Sequence, residues 1–567
     1  MPIDRRQAGV ILRRLAVLLE VNGDDPHRVR AFANGARAVE RSAGDLGARV
    51  ASGDILNEPG IGKGIASFLA ELAEDRQPAL LTELEARIPV GVQELLAVPG
   101  LGPKRIRALW LELGISSPGE LEYACTENRL AELPGFGAAS QQRVLDSLRF
   151  LARARDHHLL PEVWAVGEQL AGLLGSTAGV VRAEVAGEVR RGCETPSEVD
   201  VVAVAAGPEP VLAALAGALP GLAVADSGLL QGVHASGVAC RVRVVGSRAG
   251  AVALLLATGS EEHLRQLRRR ADDASLSLSE DGLWRGGELV ECPDEAAVYR
   301  ALGLQWVPPE LREGEGELEL AGAGRLPELV RVEDLRGALH NHTVESDGRA
   351  TLEEMATAAG RARWQYLGIA DHSASAHYAN GLDAERLDRQ LRQIDGLNRS
   401  GSGPRLLKGL EADVRTDGEL DVPPGFEERL EYVVASVHTG FRLAREAQTA
   451  RVLRAIRHPA CRILGHPSGR LLLARPGYEV DLEQVLVECA GQGVAVEINA
   501  SPYRLDLDWR WTRRALALGL RVAINPDAHD VEGLADVRWG VMVARKAGAI
   551  ARDVVNVGDI DDWLRSR

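Results

Sequence analysis

In the last two fifths of the chain, apolar runs of strand length recur between helical stretches. They span Leu335 to His342, Tyr366 to His372, Leu406 to Val414, Tyr432 to His438, Cys461 to His466, Val494 to Asn499 and Arg521 to His529. Amphipathic stretches such as Leu352 to Arg363 and Leu482 to Gln492 lie between several of them. This alternation predicts parallel strands joined by crossover helices, a fold that gathers its C-terminal strand ends on one rim. Six of the seven runs deliver a His, Asp or Glu at that end.

The first 150 residues carry a helical pattern instead. Ala8, Ile11, Leu12, Leu15, Leu18 and Leu19 form a stripe at helical spacing, and Asp25-Pro26 opens the next helix with a cap. On that helix Arg28, Arg30, Arg37 and Arg41 form either a phosphate-facing surface or a solvated face. A Pro-Gly-apolar-Gly sequence then occurs three times before helical stretches: Pro59 to Gly62, Pro99 to Gly102 and Pro134 to Gly137. Glycines let a backbone approach a phosphate, and a helix N-terminus offers it free N–H donors. One such turn is common and means little; three within 150 residues make a weak internal repeat.

The strand ends bring together His340, His342, Asp347, His372, Glu411, His438, His466, Asp527 and His529. Imidazoles and carboxylates without thiolate suit Mn, Zn or Fe rather than a structural Cys-rich site. A cluster of such cations activates water and stabilises both oxygens of an in-line displacement, so hydrolysis of a phosphate ester is expected. Asp371, Glu497 and Asn499 are candidates for orienting the ligands, or ordinary hydrogen-bonding residues. His377 and His458 carry no assigned role.

At 567 residues the chain predicts several domains. With 46% apolar residues and a net charge of -15, it is globular and lacks bulk affinity for nucleic acid, so any DNA contact must be local. Its six cysteines have no paired spacing and suit a reducing cytoplasm. No apolar stretch is long enough to cross a membrane. Glu313 to Pro327 is rich in Gly and Glu and reads as an interdomain linker.

The motifs His340-Asn341-His342-Thr343 with Ser346-Asp347-Gly348, Ala370-Asp371-His372-Ser373, Gly409-Leu410-Glu411, Ser436-Val437-His438, Gly465-His466-Pro467 and Pro526-Asp527-Ala528-His529 resemble the polymerase and histidinol phosphatase (PHP) family. The resemblance implies an α/β distorted (β/α)7 barrel and a trinuclear site. His340, His342, Glu411 and Asp527 would hold one metal, with Glu411 bridging to a second held by His438 and His466. Asp347, His372 and His529 would hold the third. Asp527 and His438 are carried over as catalytic as well as ligating. Asn525 and Pro526 stand where relatives often carry Ser and Thr.

The three glycine-rich turns resemble helix-hairpin-helix motifs, which implies DNA contacts at Gly60, Gly62, Lys63, Gly100, Gly102, Lys104, Gly135 and Gly137. Gly187-Glu188-Val189-Arg190-Arg191-Gly192, followed by Glu198-Val199-Asp200, resembles the palm of family X DNA polymerases, and Thr258-Gly259-Ser260 resembles the start of their thumb. The resemblance implies catalytic carboxylates Glu198 and Asp200 and nucleotide contacts from Arg190, Arg191, Thr258, Gly259 and Ser260. It departs where the chemistry lies. Glu188 replaces a Ser, Glu198 an Asp, and Arg241 the third catalytic Asp. Leu256-Ala257 replace Tyr-Phe, and Leu264 replaces an Asn. Phe68 stands where some relatives carry a Schiff-base Lys, so deoxyribose-phosphate lyase chemistry is not expected.

The whole chain is therefore similar to bacterial family X polymerases. The expected multidomain layout is an N-terminal helical domain with helix-hairpin-helix (1–85), fingers with two such motifs (86–150), an α+β nucleotidyltransferase palm (151–246), thumb (247–312), linker (313–335) and PHP barrel (336–567). The expected function is DNA repair by a Mn-dependent 3'-5' exonuclease or 3'-end processing phosphoesterase, with up to three ions. Polymerisation, using Mg or Mn in the palm, is expected to be weak or lost. The expected partner is DNA with gapped or primer-template ends, with deoxynucleoside triphosphates bound weakly at most. A cytoplasmic, nucleoid-associated monomer is expected. The alternatives are a histidinol-phosphate type of small-molecule phosphatase and a noncatalytic DNA-end scaffold.

Overall fold

The computed structural model describes residues 4–566 apart from positions 43, 75, 127–128, 133–135, 155, 220 and 402. It forms two compact units, Met1–Arg155 and Asp156–Arg567. The first break thus falls at 155, near the expected end of the fingers at 150.

The first unit is helical. Asp4 caps the helix Arg5–Asn22 by accepting from the Arg6 N–H, and Gly23 ends it in the left-handed region at φ 82. Its stripe of Ala8, Leu12, Leu15, Leu18 and Leu19 is buried, with Ile11 packed alongside. Helix Pro26–Arg41 is capped by Asp25 and leaves Arg28, Arg30, Arg37 and Arg41 exposed. Phe68 is buried against Phe32, as a core residue should be.

In the second unit the palm is a five-stranded sheet of β1 (Val180–Ala186), β2 (Glu198–Ala205), β3 (Leu222–Asp226), β4 (Leu229–Val233) and β5 (Ala239–Gly246), in the order β1-β2-β5-β4-β3. Strands β2 and β5 are parallel, with Asp200 opposite Arg241. The thumb follows with helices Gly250–Thr258 and Glu261–Asp273 and a small sheet of β6 (Ser277–Ser279), β7 (Gly282–Arg285) and β8 (Glu288–Val290).

The acidic stretch after the thumb is not a free tether, which corrects the linker expectation. Glu317–Gly322 is helical, with Leu318 and Ala321 in the thumb core. Glu317 lies 2.6 Å from the buried His263 imidazole, and Glu313 pairs with Arg191 at 3.0 Å and with Lys546. The buried His263 imidazole claims Glu317, and the Arg191 and Lys546 cations claim Glu313, so the segment packs instead of solvating.

The C-terminal strands are β9 (Gly337–Ala338), β10 (Tyr366–Ile369), β11 (Arg405–Lys408), β12 (Glu411–Asp413), β13 (Val433–Ser436), β14 (Cys461–Leu464), β15 (Ala495–Asn499) and β16 (Val522–Asn525). All their pairings are parallel, in sheets β11-β10-β9 and β12-β13-β14-β15-β16. Strands β11 and β12 follow one another across Gly409-Leu410. Parallel bridges His372–Glu411 and Asn341–Ala528 join the two sheets on both sides. Helices Leu352–Arg361 and Leu482–Gln492 lie where amphipathic stretches were read. One hydrophobic core runs from the palm helix Leu160–Gly175 into these strands, with Trp164 edge-on to Trp539 at 5.8 Å. Palm and C-terminal strands therefore share an interior.

Candidate metal centre and nucleic-acid interface

Each candidate ligand enters the site from a strand end. His340 and His342 follow β9, Asp347 lies on the loop beyond, His372 follows β10, and Glu411 opens β12. His438 follows β13, His466 follows β14, and Asp527 and His529 follow β16. All nine converge. Glu411 is the hub: its Oε1 lies 3.3, 3.2 and 3.0 Å from Nε2 of His340, His438 and His466. Its Oε2 lies 2.7 Å from His372 Nδ1 and 3.7 Å from His342 Nε2. Asp527 Oδ1 is 3.0 Å from His342 Nε2, and Asp347 sits 3.4 to 3.8 Å from His529, His372 and His342.

The donor atoms fall into three close groups: His342, Asp347, His372 and His529; His340, His342 and Asp527; and His372, Glu411 and His438. Their members are those the resemblance implies, divided differently. His342 and His372 each belong to two groups, and His466 meets Glu411 outside them.

Burial opposes charge on Glu411, yet the imidazoles of His372, His438 and His340 hold its carboxyl well below the usual range. Asp527 is likewise held low, against its burial, by His340 and His342. Burial and the Arg504 guanidinium push His466 down to about 4, keeping that imidazole neutral.

The residues fit metal ions on three counts. His340 Nε2, His342 Nδ1, His372 Nδ1, His466 Nδ1 and Glu411 Oε2 are buried without a hydrogen-bond partner. His372 Nδ1 and Glu411 Oε2 lie 2.7 Å apart without hydrogen-bond geometry. Unpaired buried donors and acceptors each cost about 1–3 kcal/mol, so five in one cluster imply ligands. The set also mixes imidazole with carboxylate. Finally, His466 and Asp527 adopt positive φ, 24 and 53, a strained conformation for non-glycine residues that concentrates at functional sites.

A second layer fixes these side chains. Glu497 lies 2.8 Å from His340 Nδ1 and accepts from the His466 N–H at 2.7 Å and the Asn525 amide at 3.0 Å. Asn499 donates to Asp527 Oδ2 at 3.0 Å. Asp371 touches no ligand imidazole. It accepts from Thr343 N and Oγ1 at 2.8 and 2.6 Å and from Ser346 and Gln390, fixing the loop that carries Asp347. Two residues escaped the sequence reading. Asp413 Oδ1 lies 2.5 Å from His438 Nδ1, and Arg504 Nε lies 3.7 Å from Asp527 Oδ2. Asp413 was findable, because it stands two positions beyond Glu411 on one strand. Outer partners of metal ligands typically contribute 10- to 100-fold in affinity or activity, so Glu497→Gln should weaken divalent-metal binding by about that factor in a titration.

The palm is differently arranged. Glu198 and Asp200 share one face of β2, and Arg241 bridges them at 2.8 and 3.4 Å. Burial pushes Asp200 up to about 6, with Arg241 opposing and Glu198 adding to the rise. Beside this bridge lies a cavity of about 140 Å³ lined by Asp200, Arg241, Arg243, Arg268 and Leu256. Arg190 and Arg191, the expected nucleotide contacts, are engaged by other side chains in this structure. Arg190 donates to Thr258 Oγ1 at 2.9 Å and to both oxygens of Glu295 at 2.9 and 2.7 Å. Arg191 binds Glu313 at 3.0 Å and the Thr258 carbonyl at 2.8 Å. Thr258 is fully buried, Gly259 packs on Leu264, and Ser260 caps the next helix through the His263 N–H at 3.2 Å. Glu188 turns to the Ser197 N–H at 3.0 Å. Glu295 and Glu313 thus engage both guanidinium groups.

In the first unit Gly60 and Gly100 take φ of 95 and 88, which suits glycine. Gly62 and Gly102 then precede helices Lys63–Ala73 and Pro103–Leu113 with no side-chain cap. Ile61 and Leu101 are buried between the glycines, while Gly60, Gly62, Lys63, Gly100, Gly102 and Lys104 are exposed. Uncapped N–H groups at an exposed helix start form an anion site. Of the third turn, Gly135 lies outside the described residues; Gly137 is exposed, and Phe136 is buried against the core.

Fold and site together define a nucleotidyltransferase scaffold joined to a phosphoesterase-type metal centre. Residues 92–149 match the SAM-like helix-hairpin-helix tandem, and residues 253–313 match the DNA polymerase beta thumb. The chain is 32% identical over 561 residues to the DNA polymerase/3'-5' exonuclease PolX of Bacillus subtilis (strain 168), covering 97% of each chain. It is also 27% identical over 242 residues to a probable phosphatase of Thermoanaerobacter sp. (strain X514), covering 40% of this chain and 94% of that protein. A probable phosphatase of Vibrio parahaemolyticus is 29% identical over 225 residues, 37% of this chain and 84% of its own length. The chain belongs to the family X DNA polymerases that carry a PHP domain. Its helix-hairpin-helix and thumb modules imply DNA binding. Among the described residues, no helix is long and apolar enough to cross a membrane.

Proposed function

We propose that the barrel site is a manganese-dependent 3'-5' exonuclease that trims DNA ends. The observation that carries this is the convergence of nine ligands with orphaned buried donors, in a chain that also presents two uncapped glycine turns for DNA phosphates. His340, His342, Glu411 and Asp527, with His438 and His466, and Asp347, His372 and His529, would hold up to three ions. When bound, these ions supply a nucleophile at neutral pH and charge for both oxygens of the phosphodiester displacement.

The chain's own residues orient that chemistry. Asp413 holds the proton on Nδ1 of His438, so its Nε2 faces Glu411. Glu497 does the same for His340, whose Nε2 also faces Glu411. Arg504 presents a guanidinium beside Asp527, suited to a phosphate oxygen. Arg470 donates to the Arg504 carbonyl at 2.9 Å and pairs with Glu194 of the palm at 2.9 Å, tying that wall to the polymerase scaffold. Gly60, Gly62, Lys63, Gly100, Gly102 and Lys104, with Gly135 and Gly137 of the third turn, would hold the DNA backbone without reading bases.

The reading is tested by incubating the protein and His340→Ala with gapped primer-template DNA and Mn. Shortening of the primer, lost in the variant, is expected. Hydrolysis of histidinol phosphate with no shortening would favour the small-molecule phosphatase that the probable-phosphatase relatives suggest.

The palm reading is that polymerisation is weak or absent, because Arg241 occupies the position of the third carboxylate and neutralises the other two. Arg241→Asp should raise Mg-dependent primer extension by at least about tenfold, since three carboxylates then face one metal position. Robust extension by the unaltered protein, abolished by Asp200→Ala, would contradict it.

A further inference from the structure

The chain has seven tyrosines, and four of them, Tyr299, Tyr366, Tyr432 and Tyr478, are buried. Of the other three, Tyr378 lies beside the metal centre and is 65% exposed. Leaving large aromatic surface in water costs free energy, so an exposed ring against two metal-ligand imidazoles points to a ligand. The Tyr378 ring centroid lies 5.9 Å from that of His372 and 6.1 Å from that of His438, tilted by 65° and 66° and stacked on neither.

The turn that carries Tyr378 is fixed. Its Ser375 N–H donates to Asp421 at 2.6 Å, and Asn380 donates to the Glu345 and Ser346 carbonyls at 3.4 and 3.3 Å. Those carbonyls belong to the loop bearing Asp347, so the turn is hydrogen-bonded to the ligand loop.

We infer that Tyr378 is a stacking platform for unpaired nucleobases at the strand end entering the metal centre. This rests on the nuclease reading above. An anchored, exposed aromatic beside a phosphodiester-cleaving site is what a single-strand end requires, because every base offers a π-face and the backbone phosphates need cations. A duplex end offers only the outer face of its last base pair to such a surface, whereas an unpaired strand can splay out its terminal base. A sugar phosphate without a ring gains nothing from it. Tyr378 is therefore a positioning residue that selects nucleotides over bare sugar phosphates.

The test uses the full chain with Mn and two single-stranded oligonucleotides, one ending in a normal 3' nucleotide and one in a 3' nucleotide lacking its base. The unaltered protein is expected to show a KM about tenfold lower for the strand with the base, in line with the strength of aromatic stacking on one base. Tyr378→Ala should erase that difference through KM rather than kcat, with bound Mn unchanged, and Tyr378→Trp and Tyr378→Phe should keep it. Equal KM values for both strands in the unaltered protein would overturn the platform while leaving the nuclease standing. So would a Tyr378→Phe variant as impaired as Tyr378→Ala, which would assign the effect to the hydroxyl. Cleavage of neither strand would overturn the nuclease reading itself.

Discussion

Glu411→Gln is expected to lower Mn-dependent nuclease activity by more than about a thousandfold, well beyond the 10- to 100-fold typical of outer-layer changes. Five imidazoles, those of His340, His342, His372, His438 and His466, lie within 3.7 Å of this one carboxylate. The amide is nearly isosteric, so the variant removes charge and one acceptor while keeping volume. It also presents an N–H to atoms that face a cation. The loss should fall on kcat and on bound Mn together, read by end-labelled DNA cleavage and metal analysis. Activity within tenfold of the unaltered protein would show that Glu411 is not the shared ligand.

Glu295→Gln should destabilise the palm and thumb by about 3–5 kcal/mol, as expected when a buried ion network loses one partner. Glu295 accepts from Arg190 and also from Arg312 at 2.5 and 3.1 Å, and Arg312 is fully buried. Burial alone would raise the Glu295 pKa, but the two guanidinium groups outweigh it and hold the carboxyl near 2, against an ordinary 4.5. A depressed folded-state value means stability that is complete above pH 4.5 and lost as pH falls toward 2. The size of the effect is about 3 kcal/mol. Urea unfolding followed from pH 7 to pH 3 should show the gap between protein and variant shrinking by about half or more. A gap constant with pH would assign the role of Glu295 to packing alone.

Much of the barrel was legible because its signal is local. Apolar runs end in ligands, so the pattern that predicts a strand also predicts where its chemistry points. The Glu198, Asp200 and Arg241 bridge was legible for a related reason, since residues two apart on a strand share a face and a parallel neighbour completes it. The fates of Arg190 and Arg191 were not legible. Their partners, Glu295 and Glu313, lie 105 and 122 residues away, and no pattern in the chain links them. The segment from Glu313 misled for the same reason: its composition is that of a solvated tether, but Arg191, His263 and Lys546 bury its charges. Arg504 and Tyr378 were hidden as ordinary loop residues. Only their neighbours, which come from other strands, give them a role.

The most direct test of the central claim follows the 3'-terminal nucleotide itself. A single-stranded oligonucleotide labelled on its last nucleotide is incubated with the purified chain and Mn, and the released label is identified. The account predicts a labelled mononucleotide from the first turnover, absent with Glu411→Gln. Label retained on the strand throughout, with Mn bound to the protein, would contradict it.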